Sequence, residues 1–115
     1  MLSFPPTVQV HVANEAVDMR KSYDGLSGCV EQILGADPLS GHLFVFFNRK
    51  RTQVKILVWD RSGYCIYGKR LELGRFTLPE NGVLDFVRLL LVLEGIDLAG
   101  ARQRKRFSLP QKVAK

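Results

Sequence analysis

Three apolar runs that follow one another closely in the middle of the chain constrain the fold most. Residues 43–47 are continuously apolar, residues 54–59 alternate between two faces, and residues 64–69 follow a turn at 60–63 that has Asp first and Gly last. Parallel strands need long crossover connections, and the breaks between these runs are far too short for one. The spacing therefore predicts an antiparallel meander.

The flanking segments predict two helices and further strands. Residues 8–12 alternate with period two, and residues 76–78 form a short apolar segment before a proline, so both are assigned as strands. Asp18 is assigned as the cap of a first helix that ends at Gly35, and a second helix runs from Asn81 through Leu93 and stops at Gly95.

The resulting order, β-α-β-β-β-β-α, predicts an α+β fold. Residues 1–100 are expected to form a single domain in which an antiparallel sheet of four to five strands is packed by two helices. Residues 101–115 are expected to form a basic, flexible C-terminal tail, since they lack apolar periodicity and all their charges are positive.

Positive charge is concentrated in two blocks of the chain. Residues 49–75 carry eight cations and two anions, and residues 101–115 carry six cations and no anion, whereas the net charge of the whole chain is +6. Clusters of this kind are typical of proteins that meet phosphate backbones or acidic protein surfaces. A basic surface with no dedicated partner is the simpler alternative.

The candidate binding residues come from these two blocks. Cations of the break between the first two apolar runs, of the following strands and of the tail are assigned to nucleic-acid binding: Arg49, Lys50, Arg51, Lys55, Lys69, Arg70, Arg75, Arg102, Arg104, Lys105 and Arg106. Trp59, Tyr64 and Tyr67 interleave with them and could stack on exposed bases, although aromatic side chains on strands more often pack in the core.

The sequence offers little for catalysis. Asp18, Asp37 and Asp60 each have a structural explanation as a cap or turn residue, and no phosphate-binding loop or nucleophile motif is present. We therefore expect a protein that is not an enzyme and that binds no metal or cofactor. Cys29 and Cys65 are expected to be reduced thiols. No apolar run is long enough to span a membrane and no signal peptide is evident, so a cytoplasmic location in a bacterial cell is expected.

Four segments resemble a known family: VDMRKSYDGL (17–26), LGADPLSGHLFVF (34–46), VKILVWDRSGYCIYGKRLELGRF (54–76) and LLVLEGID (90–97). They are similar to the small accessory protein TnpB, the product of the second reading frame in bacterial transposons of the insertion sequence 66 family. The resemblance covers about residues 4–97. It departs from the family where Val58 and Trp59 replace a pair of tryptophans and where Gly68 replaces a bulky aromatic.

The resemblance implies participation in transposition beside a separate, larger transposase that holds the catalytic acidic residues. Two roles are expected. The first is binding of DNA, for which the transposon ends are the natural substrate, through the cations above. The second is docking of the transposase through the apolar second helix, with Leu89, Leu90 and Leu93 at the interface. The same helix could pair two copies of the chain, or it could be a central core helix covered by the sheet and the tail. A purely structural domain is a third functional alternative.

Overall fold

The fold is built on one four-stranded sheet in the order β1-β2-β3-β4. The computed structural model describes residues 7–79, 84–97 and 102–103. The strands are β1 (Val10–Val12), β2 (Leu43–Phe47), β3 (Gln53–Asp60) and β4 (Gly63–Arg70). The last three form the predicted antiparallel meander. The α+β class, with one compact domain of a sheet and two helices, is confirmed.

The sheet is mixed, because β1 pairs with β2 in parallel. The expectation of a wholly antiparallel sheet is wrong at this strand. Helix α1 (Tyr23–Ile33) lies between β1 and β2 in the chain and provides the long crossover that a parallel pair requires. Short connections impose the antiparallel direction only on the three strands of the meander.

Both faces of the sheet are covered, which explains why all five residues of β2 are buried. Phe44 and Phe46 pack with Leu57 and with the α1 residues Leu26 and Val30. This side is called the α1 face. The alternate residues of the same strands pack on the opposite side against Leu89, Val92 and Leu93 of helix α2 (Phe86–Glu94) and against Phe76 and Leu84. This side is called the α2 face.

The first helix starts later than the sequence predicted. It begins at Tyr23, with Ser22 at the N-cap, and Asp18 lies in the preceding loop. There the Asp18 carboxylate accepts hydrogen bonds from the backbone and guanidinium of Arg20. The cap assignment of Asp18 is therefore wrong, because the carboxylate closes a local turn that competes with helix formation.

The second helix ends as predicted. Gly95 follows it in the left-handed conformation, with φ of 89°, which glycine adopts without steric cost. At its start, the Asp85 carboxylate accepts a hydrogen bond of 2.8 Å from the Arg88 N–H. The predicted starting residue, Asn81, lies outside the described residues, but Leu84 and Asp85 are described and precede the helix.

The predicted strand at 76–78 is wrong. Phe76 is buried and its N–H donates to the Arg51 carbonyl, but the segment joins no sheet. After α2, the short strands β5 (Ile96–Asp97) and β6 (Arg102–Gln103) form a separate antiparallel pair. Part of the predicted tail thus pairs with residues directly after α2, and 104–115 lie outside the described residues. No helix within the described ranges has the length and apolar character needed to cross a membrane.

Candidate nucleic-acid interface

The turn between β2 and β3, Asn48–Thr52, is called the basic turn, and its shape is fixed by one side chain. The Asn48 amide oxygen accepts hydrogen bonds from the N–H groups of Thr52 and Gln53, at 2.9 and 3.0 Å. Its amide nitrogen donates to the Thr52 hydroxyl at 2.9 Å. Arg51 adopts the left-handed conformation with φ of 57°. These bonds hold the cations between Asn48 and Thr52 on a defined loop.

The basic turn forms one wall of an open groove of about 890 Å³ on the α1 face. The opposite wall is the loop that precedes α1, and the β4 end contributes Arg70. Four cations line the groove: Arg20, Arg49, Lys50 and Arg70. The remaining lining residues are Ala16, Val17, Asp18, Met19, Asn48, Thr52 and Gln53. We call this surface the basic groove.

The four cations of the basic groove differ in how they are neutralised. Arg20 forms an ion pair of 2.7 Å with Asp18, and Arg70 forms one of 3.0 Å with Glu72. Arg49 and Lys50 are exposed and make no ion pair within the described part of the chain. These two side chains are thus the cations of the groove that are most readily available to an anionic ligand.

Asp18 carries its charge at neutral pH. Hydrogen bonds from Arg20 lower the pKa of its carboxyl from the ordinary 3.8 to about 2, and the same contact raises the pKa of the Arg20 guanidinium. The carboxylate therefore offsets positive charge on the wall that faces the basic turn.

Two further predicted cations lie close to the basic groove. Arg51 lines a smaller hollow of about 120 Å³ beside Asn14 and Glu15, and Arg49 borders both cavities. Arg75 precedes Phe76, whose N–H donates to the Arg51 carbonyl at 2.7 Å, so the chain brings Arg75 back to the basic turn. Arg51 and Arg75 are both exposed. The cationic surface thus extends around the outside of the turn.

Lys55 and Lys69 have structural partners of their own. Lys55, on the α1 face, donates from Nζ to the Lys21 carbonyl at 2.7 Å. Lys69 lies opposite Val54 on the α2 face, and its Nζ donates to the Leu93 carbonyl at 2.7 Å, where a cation complements the C-terminal end of α2. Lys69 is therefore separated from the basic groove by the sheet.

The three aromatic residues do not join the basic groove. Trp59 and Tyr64 contact each other edge to face at the far end of β3, with ring centroids 5.1 Å apart. That end lies about 20 Å from Gln53 at the usual rise per strand residue. The Tyr64 hydroxyl is 3.0 Å from the Ser27 hydroxyl on α1. Tyr67 lies on the α2 face in an apolar groove.

The apolar groove is an open surface on the α2 face and measures about 390 Å³. Tyr67, Leu90 and Glu94 line it together with Leu43, Ile56, Phe86, Leu89 and Leu93. The three leucines assigned to a partner interface differ in burial: Leu89 and Leu93 belong to the core, whereas Leu90 is 45% exposed. The exposed apolar side chains of α2 are Val87, Leu90 and Leu91.

The predicted tail cations are only partly described. Arg102 belongs to β6, for which the structure gives the backbone pairing. Arg104, Lys105 and Arg106 lie outside the described residues.

The structure brings the two histidines together, which their positions in the sequence did not indicate. The parallel pairing of β1 with β2 places the His11 and His42 rings with centroids 5.6 Å apart. His42 Nδ1 accepts a hydrogen bond from the Gln9 N–H, and burial together with His42 lowers the pKa of His11. Among the described residues, no three His, Cys, Asp or Glu side chains cluster as a metal site would require.

Arg20 is the groove residue that the sequence did not single out. It was placed inside the predicted first helix, whereas the loop from 16 to 22 turns it toward the basic turn. Asp18 two residues earlier was the available signal, because Asp side chains commonly close local turns of this kind.

Fold and surface together define a small α+β domain with a rigid cationic turn beside an open groove. The chain belongs to the IS66 Orf2-like family, whose model matches residues 8–103. The family resemblance inferred from the sequence is thereby confirmed, and the family suggests an accessory role in transposition.

Two proteins of Sinorhizobium fredii are similar to this chain over most of their length. Protein y4hO is 37% identical over 101 residues, which cover 84% of this chain and 88% of the relative. Protein y4jC is 33% identical over 111 residues, which cover 93% and 94% respectively. No solved structure matches the chain significantly.

Proposed function

We propose that this protein is a non-catalytic accessory factor of transposition that binds DNA at the basic groove. The observation that best supports this proposal is the basic turn, because it presents Arg49 and Lys50 at the rim of an open groove, and neither side chain forms an ion pair in the described part of the chain. Guanidinium and ammonium groups in such a position bind phosphate oxygens through charge-assisted hydrogen bonds.

The substrate that best fits this groove is a nucleic-acid backbone. The groove is open along its length, and its cations are spread over three chain segments that approach from different directions. Such an arrangement suits a polymer of repeated phosphates. Affinity should then come mainly from counterion release and fall steeply as salt is added.

The proposal retains only some of the nucleic-acid-binding residues that were assigned from the sequence. Arg49, Lys50 and Arg70 would contact phosphates in the groove, and Arg51 and Arg75 would contact them around its outer side. Lys69 is left out because its ammonium group binds the end of α2. Base stacking by Trp59 and Tyr64 is not part of the proposal, since their rings contact each other and the Tyr64 hydroxyl contacts Ser27 on α1.

The direct test is binding of the purified protein to a labelled duplex. Fluorescence anisotropy would compare a duplex from a transposon end with a scrambled duplex, at about 50 and about 200 mM salt, a range over which several phosphate contacts change affinity strongly. Binding that weakens at least tenfold over this range is expected. An absence of binding to both duplexes at low salt would overturn the proposal.

A second candidate function is docking of the transposase on α2. The observation that favours it is the stripe of Val87, Leu90 and Leu91, which are 64%, 45% and 37% exposed. Residues three and four positions apart share one side of a helix, so these three form a continuous apolar surface. A protein partner could bury it.

Substitutions on the exposed stripe would test docking without damaging the core. Val87→Asp with Leu90→Asp should abolish co-purification with the transposase and leave duplex binding unchanged. Leu89 and Leu93 are unsuitable for this purpose, because a charge at either buried position would unfold the domain. Undiminished co-purification of the double variant would exclude this surface as the docking site.

A further inference from the structure

The outer edge of β4 exposes a row of backbone groups without partners. The Leu71 N–H donates to the Thr52 carbonyl at 2.7 Å and so extends the β3–β4 ladder by one pair. Hydrogen-bonded pairs alternate with non-hydrogen-bonded pairs along such a ladder. The odd-numbered residues of β4 therefore direct their N–H and C=O groups toward β3. The even-numbered residues, Tyr64, Ile66, Gly68 and Arg70, point their N–H and C=O groups outward. Within the described ranges, these outward groups form no hydrogen bonds.

This edge lacks the features by which proteins usually protect an outer strand. β4 has eight residues, no proline, and a continuous register with β3. Edges are normally kept short, bulged, or guarded by proline or charged side chains. Lys69 provides no guard, since its ammonium group binds the Leu93 carbonyl. Arg70 stands at the last position of the strand and forms an ion pair with Glu72. The opposite edge strand, β1, has three residues.

We propose that the β4 edge pairs antiparallel with β4 of a second copy of this chain. One register uses every outward group on both strands: Tyr64 opposite the partner's Arg70, Ile66 opposite the partner's Gly68, and Tyr67 opposite the partner's Tyr67. A closed, two-fold symmetric pair of this kind is the commonest arrangement of protein oligomers.

The side chains of β4 are self-complementary in this register. The apolar residues lie in the middle of the strand and the cations Lys69 and Arg70 at one end, so antiparallel pairing keeps the two cationic ends apart. Each Arg70 lies beside a tyrosine ring, where a guanidinium group is attracted by the π system. Tyr67, which is 40% exposed and borders the apolar groove, gains a neighbour of its own kind.

The pairing has a consequence that rests on the proposed function. A two-fold axis perpendicular to a continuous sheet leaves both α1 faces, and so both basic grooves, on the same side. The basic turn lies about five residues beyond the level of Tyr67, so the two turns would stand roughly 33 Å apart along the strands. This separation is close to one turn of a B-form duplex, about 34 Å. The pair would therefore meet one duplex twice.

The first experiment measures oligomeric state by sedimentation without DNA, at about 100 μM protein. Wild type and Gly68→Ala should sediment as dimers, because a methyl group at Gly68 finds ordinary space, 3.8 Å from the Val54 carbonyl oxygen. Gly68→Pro removes an outward N–H and should sediment as a monomer with unchanged circular dichroism. A monomeric wild type, or a dimer that persists in Gly68→Pro, would overturn the proposal.

The second experiment is independent of the proline variant. In a Cys65→Ser background, Tyr67→Cys should form an intermolecular disulfide on mild oxidation, because facing residues of a non-hydrogen-bonded pair have Cα atoms about 4.5 Å apart. Leu73→Cys, similarly exposed at 42%, is the control and should form no intermolecular disulfide. Equal cross-linking of the two variants would contradict the register.

The proposed DNA binding and the proposed β4 pairing can be tested independently of each other. Arg49→Glu should weaken duplex binding and leave the dimer intact. Dimerisation without duplex binding would overturn the proposed function but support the β4 pairing. Duplex binding by a monomer would support the proposed function but overturn the β4 pairing.

Discussion

The turns at the two ends of β3 each hold an arginine in the left-handed conformation, Arg51 with φ of 57° and Arg61 with φ of 60°. The two turns differ in the hydrogen bonds and the surfaces that surround the arginine. Asn48 fixes the basic turn through three hydrogen bonds, and a groove with further cations adjoins it. The second turn is a tight connection of two residues between Asp60 and Gly63. Positive charge therefore occurs at both ends of the strand, whereas a turn fixed by side-chain hydrogen bonds beside a groove occurs only at the Asn48 end.

Removal of the Asn48 amide should give the largest effect among the substitutions that compare the two turns, and it should appear in the free energy of unfolding. Asn48→Ala leaves two backbone N–H groups without their acceptor and should lower the free energy of unfolding by about 1–3 kcal/mol. Ser62→Ala in the other turn is the matched control and should change it by less than about 0.5 kcal/mol. Urea unfolding would measure both, and similar values would show that Asn48 is not the fixing residue.

Charge reversal in the two turns should separate them by function. Arg49→Glu and Arg61→Glu change the net charge equally, but only the first removes a proposed phosphate contact. We expect about tenfold weaker duplex binding for Arg49→Glu, with a shallower dependence on salt, and less than about twofold for Arg61→Glu. Equal losses, measured by anisotropy, would mean that net charge alone governs binding.

Asp18→Asn should strengthen binding at the basic groove. The substitution removes a negative charge beside Arg20 and retains an oxygen that can accept the Arg20 N–H. The freed guanidinium would add a phosphate contact, and about threefold tighter duplex binding is expected. Asp60→Asn in the second turn is the control. Weaker binding by Asp18→Asn would contradict the assigned electrostatics of the groove.

Relief of backbone strain should affect the two turns alike. Glycine adopts positive φ without the steric cost that arginine bears, so Arg51→Gly and Arg61→Gly should each change stability by no more than about 0.5–1 kcal/mol. Thermal unfolding would measure this. Duplex binding should fall in Arg51→Gly alone, and a loss in Arg61→Gly of the same size would argue against the basic turn as the contact.

The smallest expected effect is the acid response of Asp18. Because its pKa is lowered to about 2 in the folded protein, the ionised carboxylate stabilises the fold fully above the ordinary value of 3.8. That contribution is lost as the pH falls from about 4 through 2. The melting temperature of Asp18→Asn should therefore decline less than that of wild type over this range, and parallel curves would show that the pair adds nothing.

The meander could be predicted because its connections are shorter than any crossover. The parallel β1 could not, since a short alternating segment does not reveal which way its partner runs. The start of α1 was misplaced because Asp18 and Ser22 are both acceptable caps, and the hydrogen bonds of Arg20 decide between them. Phe76 was assigned to a strand for its apolar character, but it packs in the core from an irregular segment.

The site was predicted in part for similar reasons. Arg49 and Lys50 stand out in the sequence because they interrupt two apolar runs. Lys69 was grouped with them, although the turn at 60–63 fixes Lys69 opposite the core residue Val54 and so on the other face. Side chains alternate between the two faces along a strand, so the face of Lys69 could have been predicted from the position of the turn. The approach of the Arg20 loop could not have been predicted in this way, because it depends on tertiary packing.

The most direct test of the central claim is to map duplex contacts onto the sheet by amide NMR. Titration of labelled protein with a short duplex should shift the signals of residues 48–52, Arg20 and Arg70, while those of residues 60–63 stay in place. Shifts confined to α2 or to the second turn, with the basic turn unchanged, would contradict the account.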